Sequence, residues 1–215
     1  TEGFPALQNV PQKLAAIVRQ SGIYPGETVL NRQFTRQSLE EKLPGHQILH
    51  IATHGEFVSQ KNASFLLLGD GKFPIAEIRT LGPYLREVNL VVLSACKTAL
   101  GSPEDEGIEI PGVSSYFLNN GAKSVMASLW SVDDASTSLL MQQFYKNLAT
   151  GKMTKARALQ EAQRSLLAGK PTAKEMLQRS PMLVPKGAPG QSRSQTGDFS
   201  HPYYWAPFIL IGNGL

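Results

Sequence analysis

The sequence has only one cysteine among its 215 residues, Cys96. A lone cysteine excludes an internal disulfide framework and any metal site built from several thiolates. Two roles remain for Cys96, a buried structural residue or a reactive thiol. The structural role is the commoner of the two for a cysteine in apolar surroundings.

Long apolar runs are also lacking. Runs such as the one around residues 90–93 fall far below the roughly 20 residues that cross a bilayer. Residues 1–10 have no basic stretch followed by an apolar segment, so they do not have the pattern of a signal peptide. We therefore expect a cytoplasmic protein with no membrane partner.

Charge is neither strongly one-sided nor clustered. The 21 Lys and Arg residues exceed the 17 Asp and Glu residues by a net charge of +4, and they are scattered along the chain. No nucleic-acid-binding motif accompanies them. We expect a solvated, mildly basic surface and no direct nucleic-acid partner.

The apolar pattern that is present predicts an α/β domain. Continuous apolar runs, typical of buried parallel strands, occur at residues 47–52, 88–93 and 123–129. Helical patterns alternate with them, and both helices after the third strand carry an apolar stripe. The alternation predicts a mostly parallel sheet with helices on both faces. The helices are expected at residues 14–20, 35–43 and 111–119 and around the stripes Leu140-Phe144-Leu148 and Leu159-Ala162-Leu166.

Several shorter segments complete this organisation. Residues 65–68 followed by Gly69-Asp70-Gly71 predict a strand and a hairpin turn, and residues 28–34 are expected to include a short strand. Residues 208–211 predict a last strand. Residues 170–200 are rich in Pro, Gly, Ser, Gln and Lys, which predicts a long flexible insertion within a single domain spanning 1–215.

His54 and Cys96 each follow a predicted central strand. In an open parallel sheet, ligand sites gather beyond the carboxyl ends of the strands. An imidazole can take the proton of a nearby thiol and stabilise the thiolate, which is the nucleophilic form. Gly55 and Cys96 can each offer a backbone N–H to an oxyanion. The pattern fits acyl transfer while leaving the structural role of Cys96 open.

Four segments carry a family resemblance: His50-Ile51-Ala52-Thr53-His54-Gly55, Leu93-Ser94-Ala95-Cys96-Lys97-Thr98, the run from Ala127 to Asp134, and His201-Pro202-Tyr203-Tyr204-Trp205-Ala206. In this order they resemble the CHAT family, which belongs with caspases and separases. The resemblance extends from about Leu14 to the C-terminus, apart from residues 170–200. It implies a caspase-like three-layer α/β/α sandwich, His54 as general base, Cys96 as nucleophile and no cofactor.

The resemblance also implies a context. CHAT domains commonly form the C-terminal end of larger proteins with tetratricopeptide or other helical repeats, and their sheet usually has a further strand before the point corresponding to Thr1. We therefore expect this chain to be the C-terminal portion of such a protein, without the N-terminal part of the domain. A regulatory repeat region or partner protein is expected to act on it.

Acidic residues are the candidates for substrate specificity. The segment with Asp133 and Asp134 resembles the region that supplies an acidic specificity residue in separases, and a carboxylate there would pair with Arg or Lys of a substrate. Asp134 ranks ahead of Asp133. The alternative is that one of them caps a helix beginning near Ala135. Glu56 is a further candidate for the pocket, with an exposed loop position as its alternative.

Two other features have structural alternatives. His46, His50 and His54 are spaced by four residues, which on a helix would form a metal ladder, but Pro44-Gly45 and the apolar run favour a strand and no metal site. His50 is then a core or supporting histidine. Lys97 either lowers the pKa of the Cys96 thiol or points to solvent.

The sequence thus favours a cysteine endopeptidase that cleaves a protein substrate after Arg or Lys. The alternative is a catalytically silent CHAT module that acts as a protein-interaction or regulatory domain. An unrelated α/β hydrolase ranks below both, because the sequence has no Gly-x-Ser-x-Gly elbow and no phosphate-binding glycine loop.

Overall fold

The computed structural model of the protein describes residue 4 and residues 10–18, 25–56, 64–94, 109–130, 134–169 and 199–215. These residues form two compact units. The first comprises Thr1–Val132 and Pro207–Leu215, and the second comprises Asp133–Ala206.

A four-stranded sheet is the centre of the first unit. Its strands, in spatial order, are β1 (Ile48–Ile51), β5 (Leu90–Leu93), β6 (Ser124–Ser128) and β7 (Phe208–Gly212). The first three are parallel, and β7 runs antiparallel to β6. The strands predicted at residues 47–52, 88–93, 123–129 and 208–211 are all confirmed.

Both faces of the central strands are buried, as the unbroken apolar runs predict for a parallel sheet. Val91, Leu93, Val125 and Ala127 point into one continuous apolar core. Leu90, Val92 and Met126, on the opposite face, are also buried. This mostly parallel sheet with its helices confirms the predicted α/β fold class.

The helices of the first unit are α1 (Val10–Ile17), α2 (Arg36–Lys42), α3 (Gly82–Leu85) and α4 (Glu109–Asn119), with 3₁₀ helices at Asn31–Gln33 and Ile75–Leu81. In α2, Leu39 joins the core. The helix begins with a capping box: the Ser38 N–H donates to Thr35 Oγ1 at 3.1 Å, and the Thr35 N–H donates to Ser38 Oγ at 2.9 Å.

Two predictions for this unit are wrong in part. The helix expected at residues 14–20 is α1, which begins at Val10 and ends at Ile17. Residues 28–34 contain a 3₁₀ turn instead of a strand, because Asn31 adopts a positive φ of 52° that no strand accommodates.

A second, antiparallel sheet follows β1 in the chain. It consists of β2 (Gly55–Glu56), β3 (Phe65–Leu68) and β4 (Gly71–Pro74), in that spatial order. The turn between β3 and β4 is the predicted hairpin. Leu66 and Phe73, a register pair in this hairpin, extend the same apolar core.

The second unit contains α5 (Asp134–Leu148), α6 (Lys155–Leu167) and α7 (Pro202–Trp205). The predicted α6 stripe is confirmed as core, since Leu159, Ala162 and Leu166 are buried. In the α5 stripe, Leu140 and Phe144 are buried, and Leu148 is half-buried. Asn147 of α5 donates from Nδ2 to the Ala158 carbonyl of α6 at 3.1 Å.

The predicted flexible insertion falls mainly outside the described residues. Residues 170–198 are not described, so the prediction stands untested there. Its last two residues do not fit it, because the buried ring of Phe199 packs edge-on against Tyr204 with 5.2 Å between centroids. Within the described ranges, no helix is long and apolar enough to span a membrane.

Candidate functional site

The candidate site is built at the carboxyl ends of β1 and β5. The two strands are parallel neighbours in which Ile51 lies opposite Leu93. The Ser94 N–H donates to the Ile51 carbonyl at 3.1 Å, so the pairing continues past the end of β5. His54 follows Ile51 by three residues, and Cys96 follows Leu93 by three residues.

Of the predicted dyad, the structure describes only His54. Cys96 and its neighbour Lys97 lie outside the described residues, so the pairing of His54 with Cys96 stays a prediction. His54 is 8% exposed and therefore belongs to the buried part of the protein.

The backbone at His54 is held by β3. The Leu67 N–H donates to the His54 carbonyl at 2.8 Å. The hydroxyl of the preceding residue, Thr53, donates to the Leu67 carbonyl at 2.5 Å. Two hydrogen bonds to one residue of β3 thus fix the turn that presents the imidazole.

Gly55 occupies a distinct place in the β2–β3 ladder. It lies opposite Leu66, between the pair of Glu56 with Phe65 and the pair of His54 with Leu67. Since His54 and Leu67 are hydrogen-bonded, the alternation of an antiparallel ladder makes Gly55 and Leu66 a non-hydrogen-bonded pair. The Gly55 N–H is therefore directed away from β3, as an oxyanion donor requires.

An aromatic ring also contacts the imidazole. The rings of Phe4 and His54 have centroids 5.4 Å apart and planes tilted by 36°. Phe4 in turn meets Phe65 of β3 edge-on at 6.1 Å. The composition of residues 1–10 gives no signal for this contact, and sequence reasoning missed it.

A cleft with a volume of about 700 Å³ adjoins His54. Its walls come from α1, from residues 29–34 and from the ends of β1 and β3. His50, Ala52, Thr53 and His54 all line it, so consecutive residues of the turn after β1 face the cleft. Most of the remaining wall is apolar, with Asn31 and Arg32 as polar exceptions.

His50 has a partner across the sheet. Its Nε2 and the Oγ of Ser94 are 2.6 Å apart and share a hydrogen bond. The sequence predicted His50 to be a core or supporting histidine, and the structure places it, half-buried, in β1. Ser94 was not singled out, although it directly follows the predicted strand that leads to Cys96.

The acidic candidates have different positions. Glu56 is not an exposed loop residue as the alternative held, since it is half-buried in β2. Asp134 is the first residue of α5, one position earlier than expected. Asp133 lies outside the described residues, so the alternative that one of these residues caps the helix stays untested.

The predicted strand around His50 is confirmed, so His46, His50 and His54 do not form a helical metal ladder. In the part of the chain that the structure describes, no three His, Cys, Asp or Glu residues are grouped to hold a metal ion.

The family model described as the CHAT domain matches residues 2–213. The chain belongs to the CHAT domain family. This confirms the resemblance drawn from the four sequence motifs and places the domain in the caspase-like peptidase clan.

A curated relative adds context. The chain is 29% identical over 128 residues to "Tetratricopeptide repeat protein 28" of Mus musculus. The match covers 60% of this chain and 4% of the relative, so the chain spans a small part of that protein's length. The relative's name fits the repeat-containing context that the family implies.

Proposed function

We propose that this CHAT domain is a cysteine endopeptidase in which His54 is the general base and Cys96 the nucleophile. The observation that carries the proposal is the place of His54 just beyond β1, beside the strand that leads to Cys96. The orientation of the Gly55 N–H adds an oxyanion donor next to the base.

The proposed reaction has two stages. His54 takes the proton of the Cys96 thiol, and the thiolate attacks the peptide carbonyl. The N–H groups of Gly55 and Cys96 donate to the oxyanion of the tetrahedral intermediate. The imidazolium then protonates the leaving amine as the C–N bond breaks, and a water molecule deprotonated by His54 hydrolyses the thioester.

We propose further that the enzyme cleaves a protein substrate after Arg or Lys. A carboxylate pairs with either cation, and with Arg in bidentate geometry. Asp134 is our first choice. Asp133 and the half-buried Glu56 are the other candidates. A helical-repeat region, as in the relative's name, is the proposed regulator.

A second candidate function is a catalytically silent module that binds a partner protein. The burial of His54 and the ring of Phe4 on its imidazole favour this candidate, because both limit access to the base. The two candidates differ in the reactivity of the thiol and in whether peptide bonds are cleaved.

The catalytic test compares Cys96→Ala and His54→Ala with the full chain, using peptide libraries with Arg or Lys before the scissile bond. Each variant should lower kcat by about 10⁴-fold or more, because the two residues act as one unit. His46→Ala is the matched control, since His46 is half-buried and precedes β1 at its amino end. Cleavage that persists in either test variant would sink the peptidase proposal.

The specificity test uses Asp134→Asn, Asp133→Asn and Glu56→Gln. The variant that removes the pairing carboxylate should lower kcat/KM for Arg peptides by about 30-fold or more, the effect of breaking a buried charge pair. Peptides with an uncharged residue at that position should lose much less. If Asp133→Asn is the variant that selectively lowers kcat/KM for Arg peptides, our choice of Asp134 is refuted. Wild-type kcat/KM values in all three variants would refute an acidic pocket.

A further inference from the structure

The hydrogen bond between His50 and Ser94 links the two strands that lead to the proposed dyad. His50 belongs to β1, and its register partner in β5 is Val92. Ser94 lies two residues beyond Val92, so the bond of 2.6 Å runs diagonally across the strand pair. Residues two apart in a strand share a face, which brings both side chains to the same side of the sheet.

Ser94 is fixed through two different groups. Its N–H donates to the Ile51 carbonyl at 3.1 Å, and its hydroxyl bonds to His50 Nε2. Only Ala95 separates it from Cys96 in sequence. The last described residue before Cys96 is therefore attached to β1 by its backbone and by its side chain.

The same strand also leads to the other member of the dyad. His50 and Ile51 hold Ser94, and His54 follows Ile51 by three residues. The hydrogen bond between His50 and Ser94 thus joins the strand that leads to His54 to the strand that leads to Cys96.

A polar pair at this place needs an explanation. Ile48, Leu49 and Ile51, the other residues of β1, are all apolar. His50 and Ser94 are both half-buried, and a polar group that loses part of its contact with water costs stability unless it finds a partner. A hydrogen bond adds what apolar packing lacks, a fixed direction and length between its two atoms.

We propose that His50 and Ser94 form a positioning pair that sets the geometry of the segment carrying Cys96 relative to His54. The inference rests on the proposed peptidase function and assigns these two residues a role in it. Their proposed role is to position the proposed catalytic residues, not to react with the substrate. They act by fixing the end of β5, from which the chain leads to Cys96, against the strand that leads to His54, because proton transfer requires a defined geometry between thiol and base.

The test uses matched substitutions at each position. Ser94→Ala removes the hydroxyl and Ser94→Thr retains one. His50→Gln places an amide group near the former Nε2, whereas the amide of His50→Asn is too short to reach Ser94. Ser124→Ala is the control. Ser124 begins β6, far from the strand ends that lead to the dyad, and its Oγ donates an equally short hydrogen bond of 2.6 Å to the Asn89 carbonyl.

Two readouts separate positioning from general stability. One is the kcat and KM for a peptide cleaved after Arg or Lys. The other is the pH profile of alkylation by iodoacetamide, which reports on Cys96 alone because the chain has one thiol.

We expect Ser94→Ala and His50→Asn to lower kcat by about 10- to 100-fold, the effect of misplacing a catalytic group by about 1 Å. Both should shift the alkylation profile, while KM changes little. His50→Gln and Ser94→Thr should restore most of the rate. The double variant Ser94→Ala/His50→Asn should lose less rate than the product of the two single effects, because both substitutions remove the same bond.

A Ser94→Ala variant with the wild-type kcat and alkylation profile would overturn the proposal, as would a rate loss equal to that of Ser124→Ala. If the wild-type chain cleaves no peptide, the peptidase proposal fails by itself. The alkylation profile then still decides the positioning role: a shift in Ser94→Ala supports it, and an unchanged profile refutes it.

Discussion

The hydroxyl of Thr53 provides the sharpest test of how the turn at His54 is held. In the β3–β4 hairpin, the backbone groups of Leu66 and Leu68 form hydrogen bonds with β4. Successive residues of a strand direct these groups to opposite sides, so the N–H and carbonyl of Leu67 point away from β4. The N–H reaches the His54 carbonyl, and the carbonyl accepts from Thr53 Oγ1. Thr53→Val keeps the shape of the side chain and removes this donor.

The expected cost follows from the burial of Leu67, which is 8% exposed. A buried carbonyl that loses its donor costs about 1–3 kcal/mol. The added methyl group recovers part of this, up to about 0.8 kcal/mol if it is fully buried. We therefore expect Thr53→Val to lower the free energy of unfolding by about 1–2 kcal/mol, or Tm by about 2–8 °C.

The assay follows the unit that contains the site. The chain has two tryptophans, Trp130 in the first compact unit and Trp205 in the second, so a Trp205→Phe background makes Trp130 fluorescence report on the first unit. Thr80→Val is the matched control, because the half-buried Thr80 also donates to a backbone carbonyl, that of Glu77, at 2.8 Å.

A second readout links stability to the site. The ring protons of His54 should shift in the NMR spectrum of Thr53→Val and remain in place in Thr80→Val. An unfolding free energy equal to wild type would refute the assignment of the Thr53 hydroxyl as the partner of Leu67. A stability loss with unchanged His54 signals would refute the link between this bond and the imidazole.

Two further predictions concern other parts of the first unit. Gly212→Ala should lower the free energy of unfolding in denaturant by about 2 kcal/mol or more, because φ is +95° and a Cβ would lie 2.6 Å from the Lys123 carbonyl oxygen. Gly26→Ala, where a Cβ has space, should change this free energy little. Equal effects of the two substitutions would contradict this reasoning. The hydrogen bond and charge of Lys42 lower the pKa of Glu27 below its ordinary 4.5. In Lys42→Ala this pKa should return toward 4.5, which NMR titration of Glu27 measures. In the wild type, the stability that Glu27 contributes should be present above pH 4.5 and disappear as the pH falls through the lowered pKa. An unchanged pKa in Lys42→Ala would exclude the pairing.

The strands were predictable because their sequences leave few alternatives. Residues 90–93 are Leu-Val-Val-Leu, a short run rich in β-branched residues whose two faces are both apolar, as in a strand buried on both faces. The place of His54 and Ser94 at strand ends follows directly from these runs. The capping box at Thr35 lacks the usual sequence signature, because its second member is Ser38 instead of Glu or Gln.

The turn at Asn31 was not predictable from local pattern. A Cβ on Gly69 would lie 2.5 Å from the Asn31 carbonyl oxygen, and the Gly69 N–H donates to the Phe34 carbonyl oxygen at 2.6 Å. The hairpin turn therefore packs directly against this segment. Such a close tertiary approach overrides the extended preference of residues 28–34, and Asn is among the few residues that tolerate the positive φ it needs.

The contacts around the site were hidden for a related reason. Periodicity shows which face a side chain occupies, and it does not show its partner on another strand. His50 and Ser94 are separated by 44 residues in sequence, and Phe4 reaches His54 from outside both sheets. Each contact depends on strand register, which only the assembled sheet fixes.

The position of His54 explains why its surroundings come from so many segments. The parallel sheet ends with β1 at Ile51, and the antiparallel sheet begins with β2 at Gly55, so His54 lies at the junction of the two. Ser94 continues the first sheet, and Leu67 of the second binds the His54 carbonyl. A residue tied to two sheets has less freedom than one in a surface loop, which is the condition that the proposed role of His54 as general base requires. Substitutions in the β3–β4 hairpin should therefore change the position of the His54 imidazole without contacting a substrate. Substitutions in the parallel sheet should change that position by a separate route.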